Sequence, residues 1–531
     1  MRGNRTVGAK LKACPMSVWP ISAWPISVGL ISILLAALAG SASLAGEFSV
    51  TPANMARVGT IDERYQSYNI EMVEVTGGEF WKPYGPERSV EAAHPPNTPG
   101  AKNSNKNSNL FQYRPPIDLA NARLRNLASA LAPAYLRVSG TWANTTYFAD
   151  SDDAPSAPPA GFKAALTRRQ WRAVIDFAHA VDARIVTSFA VGPGNRDAAG
   201  IWRPNQARRF LDFTRTAGGS IAAAEFMNEP NLVAIGGLPA GYNAAAYRRD
   251  FKLFHSFVKQ TVPGMMILGP GAINEAPEAA DLLGASGAGV DALSYHHYGA
   301  LSRRCAGAAT PEAALSEAWL SRTDQTLTFY RTLRDRFEPG KPIWLTETAE
   351  TACGGNAWAA TFLDTFRYLD QLGRLAKAGV QVVMHNTLAA SDYGLLDEQT
   401  LAPRPNYWGA LLWRQLMGTT VLDPGVPVQA GFHVYAHCQR GTAGGVVLLV
   451  INTDRNAAYS VKIADASERY TLDAANLQDS TVRLNGAALT LGLEDRVPSM
   501  TSIPASGGIL TMAPATITFL AVPAAANPAC E

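Results

Sequence analysis

Residues 222–231 read AAAEFMNEPN, and the fold follows from how this stretch is read. A short run of small and apolar residues is what a strand buried on both faces looks like. Pro230 stops it, because proline has no N–H for the next ladder bond. Glu229 is therefore expected at the C-terminal end of a strand. Residues 343–348, IWLTET, deliver Glu347 in the same way, and between the two Tyr295, His296, His297 and Tyr298 close a third apolar run. Two carboxylates at strand ends suggest glycoside hydrolysis, which needs one as acid and one as nucleophile or base.

Working outward, strand-like runs at 65–71, 135–138, 184–191, 223–228, 265–269, 292–296, 343–346 and 380–385 alternate with helical patterns. The helical patterns cover 117–131, 167–180, 205–216, 242–261, 311–337 and 357–378. Eight strands in this alternation predict an α/β fold, a (β/α)8 barrel rather than a doubly wound sheet, since the right-handed crossover closes naturally at eight. Catalytic groups of such a barrel stand at the C-terminal ends of its strands, here the fourth for Glu229 and the seventh for Glu347. Long connections at 75–116 and 142–166 follow the first two strands and can wall a cleft. Beyond about residue 417, short apolar or alternating runs separated by Asn, Asp and Gly predict a β-sandwich. The expected division is a signal peptide at 1–45, a segment at 46–61 that adds a strand to the sandwich, a barrel at 62–405 and a sandwich at 406–531.

A hydrophobic content of 47% with 17% charged residues excludes a disordered chain. Arg2, Arg5, Lys10 and Lys12 precede an apolar core at 28–39 and then small residues, which is the pattern of a secretory signal. The core is short against the ~20 residues of a membrane span, so a secreted product without a stable membrane anchor is expected. Removing the signal takes four basic and no acidic residues and moves the formal charge from +2 to −2. That leaves no global field for a polyanion, and no nucleic-acid partner is expected. Cys305, Cys353, Cys438 and Cys530 remain, an even number that allows two disulfides in an exported protein. Cys438 with Cys530 is the preferred pair, both lying in the C-terminal module, and Cys353 could equally be a free thiol. The spacings match no zinc pattern, and no metal or nucleotide cofactor is expected.

Within the candidate site, Glu229 suits the acid/base and Glu347 the nucleophile, with Glu225 inside its strand and Glu350 beyond its strand as competing carboxylates. His296 and Tyr298 are placed to orient the nucleophile. His297 can be outward and structural, because adjacent strand residues point to opposite faces; for the same reason the two histidines are no metal pair.

Tyr135-Leu136-Arg137, Asn228-Glu229-Pro230, Ser294-Tyr295-His296-His297-Tyr298, Trp344-Leu345-Thr346-Glu347-Thr348, and Val382-Val383-Met384 with Asp392-Tyr393-Gly394-Leu395-Leu396-Asp397 together resemble the heparanase family, glycoside hydrolase family 79. The resemblance runs from about residue 65 through the sandwich. It implies an endo-β-glucuronidase that cuts heparan sulfate with retention, Glu229 being the proton donor and Glu347 the nucleophile. It further implies that Glu71, where the family has an Asp, contacts the glucuronate, and that Thr141, Asn228 and Tyr298 belong to the sugar pocket. Backbone N–H groups of Gly354 and Gly355 and the Tyr393 hydroxyl then read the glucuronate carboxylate, with Cys353 standing where the family has glycine. Asn274-Glu275-Ala276-Pro277-Glu278 is acidic where mammalian relatives are basic, so a long sulfated chain is expected to be held more weakly, or by other residues such as Arg168, Arg169, Arg303 and Arg304. The second-strand loop is too short to contain an excised linker, and an active, monomeric single chain is expected. The competing readings are an exo-β-glucuronidase or another retaining β-glycosidase of the same clan, and a glycan-binding adhesin without catalysis.

Overall fold

The computed structural model describes residues 43–84 and 110–531 of the chain; almost all of the expected signal peptide lies outside them. Eight parallel strands close a barrel in chain order: Gln66–Glu71, Ala134–Ser139, Ala183–Ser188, Ile221–Glu225, Met266–Ile273, Ala292–Tyr298, Ile343–Ala349 and Val382–His385. Each overlaps one of the eight expected runs. Alternation along these strands sends one set of side chains inward. Tyr135 on the second strand and Trp344 on the seventh meet across the interior, with ring centroids 4.9 Å apart. The other set, such as Leu136, Ile267, Leu293 and Leu345, packs outward into the core shared with the helices. Covered on both faces, the strands are buried along most of their length, as parallel sheets require.

Helix Arg168–Ala180 begins where expected, because Thr167 accepts from the Gln170 N–H and the Gln170 side chain reaches back to Thr167. Three details differ from the sequence reading. The fourth strand ends at Glu225 instead of continuing to residue 228. A short helix, Glu278–Ser286, follows the fifth strand and was hidden by Pro277 and two flanking or internal glycines. The long helix expected at 311–337 is broken into Glu317–Leu320 and Arg322–Phe337.

C-terminal to the barrel, a nine-stranded sheet faces a three-stranded one. Strand Val446–Asn452 explains the packing: Val446, Leu448 and Val450 enter the core between the sheets, and Val447, Leu449 and Ile451 enter the core shared with the barrel. Helix Phe362–Lys377, which follows the seventh barrel strand, is buried along almost its whole length against this sheet. Near the N-terminus, Ser43–Ser49 pairs in parallel with Ala457–Ile463, and Arg57–Thr60 pairs antiparallel with Met417–Leu422. Cys438 is bonded to Cys530, and Cys353, for which a free thiol was an open expectation, is bonded to Cys305. No helix among the described residues is long and apolar enough to cross a membrane.

Candidate active site

Above the Tyr135 and Trp344 layer the inward positions turn polar. Two residues on along their strands come Arg137, Glu225, Ser294 and Thr346. Glu225 Oε2 accepts from Arg137 Nη2 at 2.8 Å and Nε at 3.2 Å, and Oε1 accepts from Ser294 Oγ at 2.8 Å and Thr346 Oγ1 at 2.7 Å. This floor is fully buried, and every polar atom of Glu225 is satisfied. Strict alternation would next turn Glu347 outward. The register between the sixth and seventh strands shifts there, so that Tyr295 faces Leu345 but His296 faces Glu347. The bulge lets adjacent Thr346 and Glu347 both point inward. Glu347 Oε2 then accepts from Arg137 Nη1 at 2.8 Å, and Oε1 accepts from the Tyr298 hydroxyl at 2.7 Å.

Glu229 arrives by a different route. Past the strand end the chain turns through a left-handed residue, Glu229 itself with φ of 48°, and its N–H donates to the Gly271 carbonyl at 3.2 Å. Asn144 grips the preceding residue from both sides: it accepts from the Asn228 N–H at 3.0 Å and donates to the Asn228 carbonyl at 2.9 Å. The Asn228 side chain accepts from Arg137 Nη2 at 2.7 Å, so it serves the floor of the site. His296 Nδ1 lies 3.0 Å from Glu229 Oε1, while His297 points away to Thr326 Oγ1 at 2.9 Å. One oxygen of Glu229, one of Glu347 and a nitrogen of His296 all lie within 4.8 Å of one another.

The two glutamates are pushed in opposite directions. Burial raises Glu229, and the nearby Glu347 charge adds to this, although the His296 hydrogen bond pulls the other way. Burial would also raise Glu347, but the His296 and Arg137 charges and the hydrogen bonds from Tyr298 and Arg137 outweigh it, so its carboxyl sits below the usual value. For His296 burial favours the neutral ring, yet the Glu347 charge and contacts to Glu225 and Glu229 raise it to about 9. The opposed shifts make Glu229 the weaker acid of the two, so it keeps its proton to higher pH than Glu347. The same three groups are the one cluster among the described residues able to reach a common cation. Both Glu347 oxygens are already engaged and the Arg137 guanidinium supplies the positive charge, so proton transfer suits these donors better than metal binding.

A cavity of about 550 Å³ opens over this floor, lined by Glu229, Glu347, Glu71, Thr141, Tyr298 and Tyr393 among others. Glu71 is 3% exposed, and its Oε2 has no hydrogen-bond partner. Asn386 Nδ2 donates to the Tyr298 hydroxyl at 3.0 Å and the Tyr393 hydroxyl at 3.3 Å, coupling the two tyrosines. Gly354 and Gly355, with φ of 79° and 81°, follow Cys353 just behind the wall; Cys353 itself lines the cavity. A Cβ on Gly354 would come 2.6 Å from Trp81 Cβ, so only glycine admits this turn. Trp81 and Phe111, stacked at 4.4 Å, come from the first-strand connection, and Trp142 from the second. These connections do wall the cavity. Three of the four arginines expected to hold a sulfated chain face a carboxylate: Arg168 pairs with Asp150, Arg169 with Asp153, and Arg304 with Asp392 beneath the Tyr84 ring. Glu350 is bound by Thr351 and Asn356 away from the cavity.

Residues 113–373 match the sequence family described as glycosyl hydrolase family 79, N-terminal domain. Heparanase of Mus musculus is 28% identical over 468 residues, which cover 75% of this chain and 84% of that protein. The chain belongs to glycoside hydrolase family 79. A second family relative by sequence, baicalin-β-D-glucuronidase of Scutellaria baicalensis, is 26% identical and covers 77% of this chain and 84% of its own. Among solved structures, a 4-O-α-L-rhamnosyl-β-D-glucuronidase of Fusarium oxysporum superposes with a TM-score of 0.62 at 14% identity, covering 89% of this chain and 99% of its own. That likeness supports the barrel with its added sheet domain. For this family 79 glycosidase, the sequence reading missed Asn144 and Asn386, gave Arg137 no role, and took Glu225 as a competing carboxylate where the structure has it bonded to Arg137, Ser294 and Thr346 in the floor. An arginine inside an otherwise apolar strand had to find a buried anion, and that was the available signal.

Proposed function

We propose that this protein is a secreted β-glucuronidase that hydrolyses with retention. The observation that carries the reading is the pair of glutamate oxygens within 4.8 Å of each other, close to the ~5–5.5 Å of retaining sites and short of the ~6.5–9.5 Å that an inverting site needs for its water. Glu347, held ionised, attacks the anomeric carbon while Glu229 gives its proton to the departing oxygen. A glycosyl ester on Glu347 results. Glu229, now a base, deprotonates the water that releases the sugar and restores both residues. Tyr298 and Arg137 keep Glu347 oriented, and His296 does the same for Glu229.

A glucuronate is the supported sugar. Its carboxylate can be received by the Tyr393 hydroxyl and by the N–H groups of Gly354 and Gly355, for which the described residues supply no acceptor. Glu71 is placed for the sugar hydroxyls. Endo cleavage of heparan sulfate is supported by the likeness to a heparanase. Exo action on a small glucuronide is a second reading, supported by the likeness to a baicalin glucuronidase and by a single basic residue, Lys163, among the described residues lining the cavity. Two disulfides agree with export.

The test follows product lengths from size-defined heparan sulfate, and release from an aryl β-glucuronide, with the mature protein and its Glu347→Gln variant. Turnover lost in the variant supports the mechanism. An early fall to intermediate lengths supports endo action, and intact polymer beside a hydrolysed aryl glucuronide supports exo action. Turnover of neither substrate overturns the proposal and favours a glycan-binding protein, and equal turnover by the variant overturns the mechanism through Glu347.

A further inference from the structure

The cavity has two chemically different ends. One is built on the first and eighth strands, where Glu71, Asn386 and Tyr393 bring polar groups and Trp81 and Phe111 add two aromatic rings from the first-strand connection. The other is built on the connections after the fourth, fifth and sixth strands, and its side chains are Leu232, Ile235, Ile273 and Leu301 with one polar residue, Asn274, whose Oδ1 accepts from the Tyr298 N–H. The apolar end is attached to the residue that acts as proton donor. The Leu232 N–H donates to the Glu229 carbonyl at 2.9 Å and the Gly236 N–H to the Leu232 carbonyl at 2.7 Å. Asn144, which grips Asn228, also donates to the Gly236 carbonyl at 3.0 Å, and the Ile273 N–H donates to Asn231 Oδ1 at 3.1 Å. The shelf is thus rigidly tied to Glu229. At its rim Ile235 is 68% and Leu301 50% exposed, leaving large aliphatic groups in water beside a binding cavity. Exposed apolar surface in that position commonly marks what a ligand covers.

We infer that the leaving-group side of this site takes an uncharged apolar group, so that its substrates are β-glucuronides of aromatic or similarly apolar alcohols rather than chains sulfated next to the bond that is cut. This rests on the glucuronidase reading above. The leaving oxygen receives the proton of Glu229, so the group it carries must lie on the Glu229 side, against the shelf. A sulfate there is stripped of water against aliphatic side chains, with one lysine, Lys163, to receive it among the described lining residues. An aromatic ring instead covers Ile235 and Leu301. In the reaction the bond between the anomeric carbon and the exocyclic oxygen breaks, the sugar passes to Glu347, and the alcohol leaves with the proton of Glu229. Water then returns both groups to their starting state.

The experiment compares naphthyl β-glucuronide, methyl β-glucuronide and an N-sulfated heparan sulfate oligosaccharide on the mature protein and on its Ile235→Asp and Leu301→Asp variants. Both positions are exposed, and unchanged thermal unfolding checks that the variants fold. The expected result is a KM for the naphthyl glucuronide raised about tenfold in each variant with kcat within about threefold, and no change for the methyl glucuronide. The wild-type protein should favour the naphthyl substrate over the sulfated oligosaccharide in kcat/KM. Equal KM shifts for both small glucuronides, no shift for either, or a preference for the sulfated oligosaccharide overturns the inference while the glucuronidase reading stands. Failure to hydrolyse any of the three removes the glucuronidase reading itself, and the inference with it.

Discussion

Glu225 Oε2 accepts from Arg137 Nη2 at 2.8 Å beneath the floor of the cavity, and neither side chain touches solvent. Because the same guanidinium holds Glu347, one arginine balances two buried anions. Removing one member of such a pair leaves an uncompensated charge and costs about 3–5 kcal/mol, whereas replacing both members can be nearly neutral.

Arg137→Met should therefore lower the melting temperature sharply and abolish turnover. The double variant Arg137→Met with Glu225→Gln should regain much of the stability but no activity, because Glu347 has still lost its donor. Thermal unfolding read beside kcat on an aryl β-glucuronide separates the two effects. A double variant as unstable as the single one would mean that Arg137 matters for packing rather than for charge.

The opposed shifts of Glu347 and Glu229 give a bell-shaped profile for kcat/KM. Activity should rise as Glu347 ionises, below the usual 4.5 of a glutamate, and fall as Glu229 loses its proton above 4.5. Tyr298→Phe removes the 2.7 Å hydrogen bond that favours the Glu347 carboxylate. The acidic limb should then move up by about one pH unit, and kcat should fall roughly tenfold or more. An acidic limb that stays in place would assign it to another group.

The barrel was legible because each strand is buried on both faces and most of the helices on one, so the period of apolar residues changes from strand to helix along the chain. Glu229 and Glu347 were legible for the same reason, as charges at the ends of apolar runs. The bulge that turns Glu347 inward was not, since it is a register shift between two strands and leaves no local mark at Thr346. Nor were Asn144 and Asn386, ordinary polar residues in loops whose partners lie 84 and 88 positions away. The partners of Arg168, Arg169 and Arg304 were not legible either, because a positive charge in a sequence does not reveal whether it is paired. Asp150 and Asp153 sat in the loop already singled out as rich in aspartate, and they neutralise Arg168 and Arg169.

Between the barrel and the sandwich, His433 Nδ1 lies 2.6 Å from Asp370 Oδ1, and Arg374 Nε donates to the other oxygen at 2.6 Å. Burial alone would lower His433, but the Asp370 charge and hydrogen bonds to Asp370 and Glu317 raise it from 6.5 to about 9. A raised histidine stabilises the fold fully below its unfolded value near 6.5, and that contribution is lost as the pH rises through 9. For Asp370, burial is outweighed by the His433 and Arg374 charges, its carboxyl is lowered, and its contribution is lost as the pH falls below its usual 3.8. The melting temperature should thus be highest between about pH 4 and 6.5 and decline toward pH 9.5, with the histidine contributing about 3 kcal/mol at most. His296 shares this sign, so the comparison with His433→Gln is the readout: the variant should melt lower at pH 6 and show a flatter decline. Parallel curves for the two proteins would exclude His433 as the source.

Gly140, at the end of the second strand with φ of 89°, lies against Glu71, and a Cβ placed on it would come 1.5 Å from Glu71 Oε2. The longer side chain at position 71, where the family resemblance leads to an aspartate, therefore depends on the missing side chain at position 140. Gly140→Ala should displace the Glu71 carboxylate and raise KM for a β-glucuronide, in addition to about 1–3 kcal/mol of backbone strain. Shortening the acid should relieve the clash but leave the strain. The double variant Gly140→Ala with Glu71→Asp is expected to recover much of the lost substrate binding while still melting below the wild type, and KM measured beside thermal unfolding tests both halves. If Gly140→Ala binds substrate as the wild type does, Glu71 has room to move and its present position is not set by Gly140.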